Sequence, residues 1–309
     1  MTIAGSILKA IGNTSLVQLS RVVPVGCARI MVKLEWENPT GSMKDRAAQA
    51  MIARAEADGR LKPGYAIVEY TGGSTGISLA LICVAKGYQL KIVTSDAFSR
   101  DKLRHMEALG AELTIVPSEG GKTTKALILK MIETAEQISR QPNTYWTDQL
   151  RNEDTIAGYY PLGEEIWEQT DGQVDAFVHC VGTGASSRGV ATVLKEHKSG
   201  VKLVVVEPAE SSVLSGGQPG PHKIEGVGIG YTPPLFVSDL VDEIVAVSTD
   251  DAKAMARRLA REEGLFAGTS AGANVVAAIE IGKTLGPDAT IATLMCDSGM
   301  KYLSTDVFH

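Results

Sequence analysis

Residues 65–87 read YAIVEYTGGSTGISLALICVAKG and contain three signals in a row. YAIVEY is apolar and rich in β-branched and aromatic residues, which predicts a strand buried on both faces. A glycine-rich loop follows it, and ISLALICVAKG then predicts a helix. This order of strand, loop and helix is the building unit of an α/β protein with a parallel sheet.

The same unit recurs along the chain. Strands are predicted at residues 28–34, 65–70, 90–95, 112–117, 176–181, 202–208, 243–248 and 290–295. Helices are predicted at residues 44–59, 75–87, 99–109, 122–139, 154–169, 185–197, 250–263 and 271–285. The units fall into two sets, with SRQPNTYWTDQ (139–149) as the crossover. The predicted fold class is therefore α/β, with two doubly wound domains, mainly parallel sheets and a cleft between them.

Composition excludes several classes of function. The 309 residues carry a net charge of −6 without a basic stripe, which argues against a nucleic-acid partner. The N-terminus is too polar for a signal peptide, and no run of about 18 apolar residues predicts a membrane helix. The four cysteines are far apart and form no CxxC pair, so neither a zinc cluster nor a disulfide framework is expected. His105 and His222 lack partners at metal-ligand spacing, so no metal is predicted. The cysteine pattern is typical of a reducing compartment, and the expected location is the cytoplasm.

Three loops rich in glycine and hydroxyl groups follow predicted strands, where open α/β sheets bind ligands. Residues 71–76 (TGGSTG) could hold an anion at the start of a helix, although a simple capped turn explains them equally well. Residues 182–189 (GTGASSRG) are typical of a phosphate cradle or of a tight left-handed turn. They match neither the dinucleotide fingerprint nor the P-loop. Residues 268–273 (GTSAGA) either direct a serine into the cleft or pack a helix closely.

Residues 36–48 read WENPTGSMKDRAA and place Lys44 at the start of a predicted helix. The helix dipole disfavours a cation there, so the position favours a neutral amine over a charged surface lysine. A neutral amine is what a lysine that traps a carbonyl group requires. Together with a phosphate loop and a serine in the cleft, this lysine points to a phosphorylated aldehyde, and pyridoxal 5′-phosphate is the candidate cofactor.

With these motifs the chain resembles the fold-type II pyridoxal-phosphate enzymes of the cysteine synthase and cystathionine β-synthase group. The resemblance covers nearly the whole chain and keeps the motifs in order. It is carried by residues 38–46, 71–76, 99–102 with 108–112, 182–186, 226–231, 270 and 297–305.

The resemblance implies a role for each motif. Lys44 would form the Schiff base with pyridoxal phosphate and act as the catalytic base, Ser270 would contact the pyridine nitrogen, and Ser74 would contact the cofactor hydroxyl. The phosphate would be held by Gly182, Thr183, Gly184, Ala185 and Ser186. The substrate would be held by Thr71, Gly72, Gly73, Ser74, Thr75 and Gln149, with Gly228 in a loop at the entrance.

The resemblance also implies the reaction and the assembly. An O-activated L-serine would lose its β-substituent to give an aminoacrylate, and sulfide would add to form L-cysteine. A smaller mobile domain (1–12 and 35–145) would carry Lys44 and the carboxylate loop. A larger domain (13–34 and 146–309) would carry the phosphate cup and Ser270. A homodimer is expected from the family alone.

Three departures from the family pattern stand out. Those at positions 72 and 74 leave the substrate and the reaction open, whereas phosphate binding is expected to survive the change at position 185. Gly72 and Ser74 replace a serine and an asparagine of the usual Thr-Ser-Gly-Asn-Thr-Gly, and Ala185 replaces a glycine of the phosphate cup. The stretch 148–152 (DQLRN) is similar to that of cystathionine β-synthases, so condensation of serine with homocysteine is the main alternative. A β-eliminating lyase or desulfhydrase and a binding protein without turnover are further readings.

Overall fold

The computed structural model describes residues 4–121 and 124–309, and the strands of this part form two sheets. The strands are β1 (Leu16–Gln18), β2 (Arg29–Leu34), β3 (Ala66–Tyr70), β4 (Gln89–Ser95), β5 (Glu112–Val116), β6 (Thr144–Trp146), β7 (Ala176–Cys180), β8 (Lys202–Pro208), β9 (Glu243–Val247) and β10 (Thr290–Met295). One sheet has the order β1-β2-β10-β7-β8-β9 and the other β5-β4-β3-β6. All neighbours pair in parallel except β1, which is antiparallel to β2.

Helices connect these parallel strands, as crossover connections require. They are α1 (Lys44–Ala57), α2 (Ser74–Lys86), α3 (Arg100–Ala108), α4 (Lys125–Ser139), α5 (Asp154–Ala157), α6 (Tyr160–Gln169), α7 (Ala185–His197), α8 (Thr249–Arg258) and α9 (Thr269–Leu285). The predicted α/β class with mainly parallel sheets is confirmed. The first two residues of the helix predicted at 122–139 lie outside the described residues.

One local prediction was wrong, and two short strands were missed. The helix predicted at 154–169 is two helices, because α5 ends at Gly158, where a Cβ atom would lie 2.7 Å from the carbonyl oxygen of Arg46. The bend thus allows a close approach to α1. Sequence analysis also missed β1 and β6, which have three residues each and are too short to show a periodic pattern. The helix predicted at 250–263 is α8, continued by a π-helical turn over Leu259–Glu263.

The core lies on both faces of the larger sheet. Val204 and Val206 of β8 pack on one face with residues of α8 and α9. Leu203 and Val205 pack on the other face with residues of α6 and α7. Side chains of a strand alternate between faces, so a strand that is apolar at every position requires helices on both sides. Full burial of each such side chain stabilises the fold by about 1.5–3 kcal/mol.

The two sheets draw their strands from different parts of the chain. The smaller sheet uses residues between 66 and 146, and the larger uses residues 16–34 and 176–295. The domain boundaries and the mobility of the smaller domain stay predictions, and residues 1–3 lie outside the described residues. No helix in the described part of the chain combines the length and hydrophobicity needed to span a membrane.

The segment that precedes α1 joins the two sheets. Ser42 forms an isolated antiparallel bridge with Asp297, which follows β10. The N–H of Met43 donates to the carbonyl of Cys296 at 2.9 Å, and the N–H of Ser298 donates to the carbonyl of Gly41 at 3.0 Å. The start of α1 is therefore held at the carboxyl end of a central strand of the larger sheet.

Candidate active site

Lys44 is the first residue of α1 and lies at the junction of the two sheets. Its backbone N–H donates to Ser42 Oγ at 3.2 Å, whereas Nζ makes no hydrogen bond or ion pair with any of the described residues. Burial lowers the pKa of the Lys44 amine, and Cys296 and Asp297 only partly oppose this effect. The site thus favours a neutral, nucleophilic amine, as the position at a helix start predicts.

The predicted carboxylate loop leads directly into α2, and the structure brings Gln149 to it. The hydroxyl of Thr75 donates to Gln149 Oε1 at 2.8 Å, and Gln149 Nε2 donates to the carbonyl of Tyr70 at 3.0 Å. The N–H of Gly73 donates to Thr71 Oγ1 at 3.2 Å. Backbone N–H groups at the start of α2 have no intrahelical partner, so this loop is suited to an anion such as a carboxylate.

Gly72 is covered by an aromatic ring that sequence analysis did not single out. A Cβ atom at position 72 would lie 2.4–2.7 Å from three ring carbons of Phe98. The ring therefore fills the space that a serine at position 72 would need. Gly72 and Phe98 form a steric pair, which accounts for one of the departures from the family pattern.

Ser74 contacts charged groups of the larger sheet. Its Oγ lies 3.3 Å from Asp297 Oδ2 and 3.4 Å from Lys301 Nζ. Tyr302 Oη also donates to Asp297 Oδ2, at 3.0 Å. Burial lowers the pKa of Lys301, Asp297 opposes that effect, and the positive charge of Lys102 adds to it. Ser74 thus links the carboxylate loop to the segment after β10.

The predicted phosphate cup lies between β7 and α7. Gly184 has φ of +88°, and a Cβ atom there would lie 2.7 Å from the backbone nitrogen of Phe236, so only glycine fits. A Cβ atom at Gly182 would lie 2.4 Å from the carbonyl oxygen of Gly226. Thr183 and Ala185 complete the turn, with the N–H of Ala185 3.4 Å from Thr183 Oγ1. Ser186 is the second residue of α7 and is buried.

Ser270 and Gly228 complete the set of predicted residues. Ser270 is the buried second residue of α9, and its carbonyl accepts from the Cys180 thiol at 3.6 Å. Gly228 donates its N–H to the carbonyl of Val181 at 3.2 Å, and its carbonyl lies 2.9 Å from His222 Nε2. These contacts place Gly228 beside the phosphate cup.

Residues 7–297 match the protein family described as pyridoxal-phosphate dependent enzyme. The chain belongs to this family. A cysteine synthase of Staphylococcus aureus is 41% identical over 305 residues, which cover 98% of this chain and 96% of the relative.

Solved structures agree with that assignment. A cysteine synthase of Entamoeba histolytica superposes with a TM-score of 0.92 and 38% identity over 99% of this chain and 91% of that one. An O-acetylserine dependent cystathionine β-synthase of Helicobacter pylori superposes with a TM-score of 0.91 and 35% identity over the full length of both chains. The predicted recognition, fold type and cofactor are confirmed.

The donors in this pyridoxal-phosphate dependent enzyme fit its cofactor. The start of α7 supplies backbone N–H groups and hydroxyls for a phosphate. Lys44 would supply the amine that an aldehyde needs, and Ser270 would supply a neutral hydroxyl for a ring nitrogen. Lys44 begins α1, whereas the phosphate donors and Ser270 lie at the starts of α7 and α9.

Sequence analysis missed His179, which contacts the predicted cup of this pyridoxal-phosphate dependent enzyme, and Asn274, which lies behind it. His179 lies in β7 with Nε2 2.9 Å from Ser186 Oγ, and Asn274 of α9 lies next to it. A detectable signal did exist, because His179 is the one polar residue in the apolar run AFVHCV. Its partner could not be foreseen, since α9 follows about 90 residues later.

Proposed function

We propose that this chain is a cysteine synthase-like enzyme that replaces the β-substituent of an O-activated L-serine with sulfide to give L-cysteine. The observation that carries the proposal is the Lys44 amine, whose pKa is lowered by burial at the start of α1, beside the segment after β10 that also contacts Ser74 of the carboxylate loop. The names of the relatives support the substrate pair, and O-acetyl-L-serine is the first candidate.

Each residue of the site has a defined task in this reaction. Pyridoxal phosphate, when bound, supplies an electron sink for the pair released at Cα of the amino acid. Lys44 holds the cofactor and then, as a free amine, removes the Cα proton and later returns it. The N–H groups at the start of α2 and the amide of Gln149 hold the substrate carboxylate. This positions the Cα–H bond toward the base.

Ser270 supports elimination over transamination. A hydroxyl is neutral and cannot hold the ring nitrogen of the cofactor in its protonated form as a carboxylate would. With pyridoxal phosphate bound, Ser270 would leave the ring nitrogen unprotonated and would thereby favour prompt departure of the β-substituent.

Cystathionine formation and simple β-elimination are the second candidates, because both share the first half of this reaction. The similarity to an O-acetylserine dependent cystathionine β-synthase favours the former. The 148–152 stretch does not decide between the candidates. Asn152 Nδ2 donates to the carbonyl of Thr147 at 2.9 Å and Arg151 pairs with Asp148 at 3.4 Å, contacts that shape the turn carrying Gln149.

A spectral titration tests these candidates. The absorbance of the yellow holoenzyme is expected to shift with O-acetyl-L-serine and to recover with sulfide. Recovery with homocysteine but not with sulfide would establish the cystathionine reading, and steady release of pyruvate would establish the lyase. Absence of any shift with either O-acetyl-L-serine or serine would contradict all three.

Substitution of Lys44 tests the central residue. We expect K44A to lose at least about 10³-fold in kcat, since one group both holds the cofactor and transfers the proton. Borohydride reduction followed by peptide mapping should place the cofactor on Lys44 in the wild type. K130A, at an exposed position on α4, is the matched control and should behave as wild type. Labelling at another lysine would overturn the assignment.

We also propose a cytoplasmic homodimer. The four cysteines are all free and buried, which suits a reducing compartment. The dimer is expected from the family resemblance. Sedimentation equilibrium of the holoenzyme should give twice the chain mass of 32.7 kDa, and a monomer at micromolar concentration would contradict it.

A further inference from the structure

A buried polar network lies directly behind the phosphate cup. His179 is 2% exposed and belongs to β7, whose other residues are all buried. Its Nε2 lies 2.9 Å from Ser186 Oγ, and its Nδ1 lies 3.4 Å from Asn274 Nδ2. Buried polar side chains are expensive unless they are hydrogen-bonded, so the directions of these bonds matter for what the network does.

The orientation of the Asn274 amide is set by two backbone groups. Its Oδ1 accepts from the N–H of Cys180 at 2.7 Å, and its Nδ2 donates to the carbonyl of Leu294 at 2.8 Å. If the amide were flipped, Nδ2 would face the N–H of Cys180 and Oδ1 would face the carbonyl of Leu294, so neither hydrogen bond could form. The second hydrogen of Nδ2 has two acceptors within reach, Nδ1 of His179 at 3.4 Å and Sγ of Cys296 at 3.6 Å. In either case Nδ1 faces an amide donor, so a proton on Nδ1 would place two donors against each other, and Nδ1 is therefore the acceptor nitrogen of the imidazole.

This arrangement determines the tautomer of His179. Burial lowers the pKa of His179 to about 3, so the ring is neutral at physiological pH. A neutral imidazole carries one proton, and with Nδ1 as acceptor that proton is on Nε2. The Nε2–H group then donates to Ser186 Oγ.

The consequence concerns the hydroxyl of Ser186. A hydroxyl has one hydrogen to donate, and an oxygen that already accepts from Nε2–H directs its own hydrogen elsewhere. The neighbouring Ser187 cannot take over this task, because its hydroxyl donates to the carbonyl of Gly184 at 3.0 Å. A phosphate only accepts hydrogen bonds, so a serine that is forced to donate suits it.

We propose that His179 is a positioning residue for the cofactor, in which the Asn274–His179–Ser186 chain of hydrogen bonds holds the Ser186 hydroxyl as a donor to the phosphate. The proposal rests on the cofactor site given under the proposed function. It assigns a role to two residues, on β7 and α9, that do not line the cup themselves.

The tautomer can be tested in the wild-type holoenzyme. A long-range proton–nitrogen correlation spectrum of histidine-labelled protein should show His179 as the neutral Nε2–H form, with its signal assigned by loss in H179Q. A proton on Nδ1, or a charged ring at pH 7, would overturn the proposal without any need for a variant to bind the cofactor.

Two variants separate positioning from packing. H179F keeps a ring of similar size but removes the donor, and H179Q places an amide N–H near the position of Nε2. We expect H179F to bind pyridoxal phosphate about tenfold more weakly, as loss of one charge-assisted hydrogen bond would give, and H179Q to stay within about threefold of wild type. Binding of pyridoxal, which lacks the phosphate, should be equal in all three proteins. An equal loss for both ligands in H179F would identify a structural role and overturn the proposal.

A double-mutant cycle with S186A adds a second check. If His179 acts through Ser186, H179F should change cofactor affinity by less than about twofold once Ser186 is alanine. If the two substitutions weaken cofactor binding independently, so that their fold-losses multiply in the double variant, the proposed chain of hydrogen bonds is wrong. The ³¹P resonance of the bound cofactor should move in H179F and S186A but not in H179Q. A ³¹P resonance that H179F leaves unchanged would also contradict the proposed role of His179.

Failure of this proposal is distinguishable from failure of the proposed function. If peptide mapping after borohydride reduction finds no cofactor on Lys44 of the wild type, the proposed function itself is wrong. If Lys44 is labelled and the ³¹P resonance is present but insensitive to H179F, only the role of His179 fails.

Discussion

Two physical effects act in the same direction on the amine of Lys44. The start of α1 presents partial positive charge, and burial removes the hydration that stabilises an ammonium ion. Sequence position predicts the first effect, because it needs only the location of a helix start. The second arises only in the folded chain, because it requires other elements to cover Lys44, and Cys296 and Asp297 oppose it only in part.

Gly72 gives a prediction at the level of a single residue. G72S should lower kcat/KM for the amino-acid substrate at least about tenfold, because its Cβ would collide with the ring of Phe98 and overpacking costs about 1–3 kcal/mol. Steady-state kinetics with O-acetyl-L-serine measures the effect.

The double variant G72S/F98A is the control for this explanation, since it removes the ring that causes the collision. It should recover much of the lost kcat/KM relative to G72S. G200A, at a glycine with nothing within 4 Å, should be neutral. If G72S retains wild-type kinetics, the steric account of this departure is wrong.

At the level of elements, the phosphate cup depends on the turn into α7. G184A forces an L-residue to φ of +88° and places a Cβ atom 2.7 Å from the backbone of Phe236. The backbone strain alone costs about 1–2 kcal/mol, and the collision moves the start of α7. We expect at least tenfold weaker binding of pyridoxal phosphate, measured by fluorescence titration of the apoprotein.

G59A separates strain from collision. Gly59 has φ of +79° but open space around it, so its alanine variant should lose stability without losing cofactor affinity. Equal cofactor affinity in G184A and G59A would contradict the role of the α7 turn.

Lys102 of α3 gives a second prediction at this level, because it connects the carboxylate loop to the larger sheet. Its stem covers Gly73, where a Cβ atom would lie 2.9 Å from Lys102 Cδ, and its Nζ pairs with Glu225. K102M keeps the stem and removes the charge. We expect a loss of about 1 kcal/mol in the free energy of unfolding, at the lower end for a charged pair because Glu225 is 37% exposed and can be rehydrated.

Hydrogen exchange should locate the effect of K102M. Amides of α3 and of residues 71–76 are expected to exchange faster than in wild type, and KM for the amino acid should rise. This would support the proposed mobility of the smaller domain. K130M removes an exposed pair with Glu133 and should change stability by less than about 0.5 kcal/mol. Unchanged exchange in α3 would show that the pair does not hold the two parts together.

At the level of the whole molecule, His179 links stability to pH. In the unfolded chain its pKa is 6.5, whereas in the folded protein burial lowers it to about 3. Between these values the unfolded state binds more protons, so the free energy of unfolding falls as the pH falls, by about 1.4 kcal/mol per pH unit. From pH 6.5 to pH 5 this amounts to about 2 kcal/mol.

Urea unfolding at the two pH values measures this linkage. H179Q has no titrating ring at this position and should lose about 2 kcal/mol less than wild type over the same interval. Other groups contribute equally to both proteins and cancel in the difference. Parallel losses would show that His179 is protonated in the folded state well above pH 3.

Regular elements and glycine loops could be predicted from sequence because their signals are local. The strand, loop and helix of residues 65–87 and the start of α1 at Lys44 needed only neighbouring residues. The bend at Gly158 could not be predicted, since its cause is the backbone of α1 more than 100 residues earlier. The three-residue strands β1 and β6 exist because a sheet edge was available to them.

The sequence by itself determined the class of fold, the order of the motifs and the lysine on which the proposed chemistry depends, because periodicity and helix starts act over a few residues. Only the tertiary structure decided which side chains surround that lysine and the cup. Asp297 beside Ser74 and Asn274 beside His179 are contacts between residues 223 and 95 positions apart in the chain. Phe98 over Gly72 likewise joins two different loops. Such contacts arise when parallel strands bring their carboxyl ends to a common edge, and no local pattern records which residues meet there.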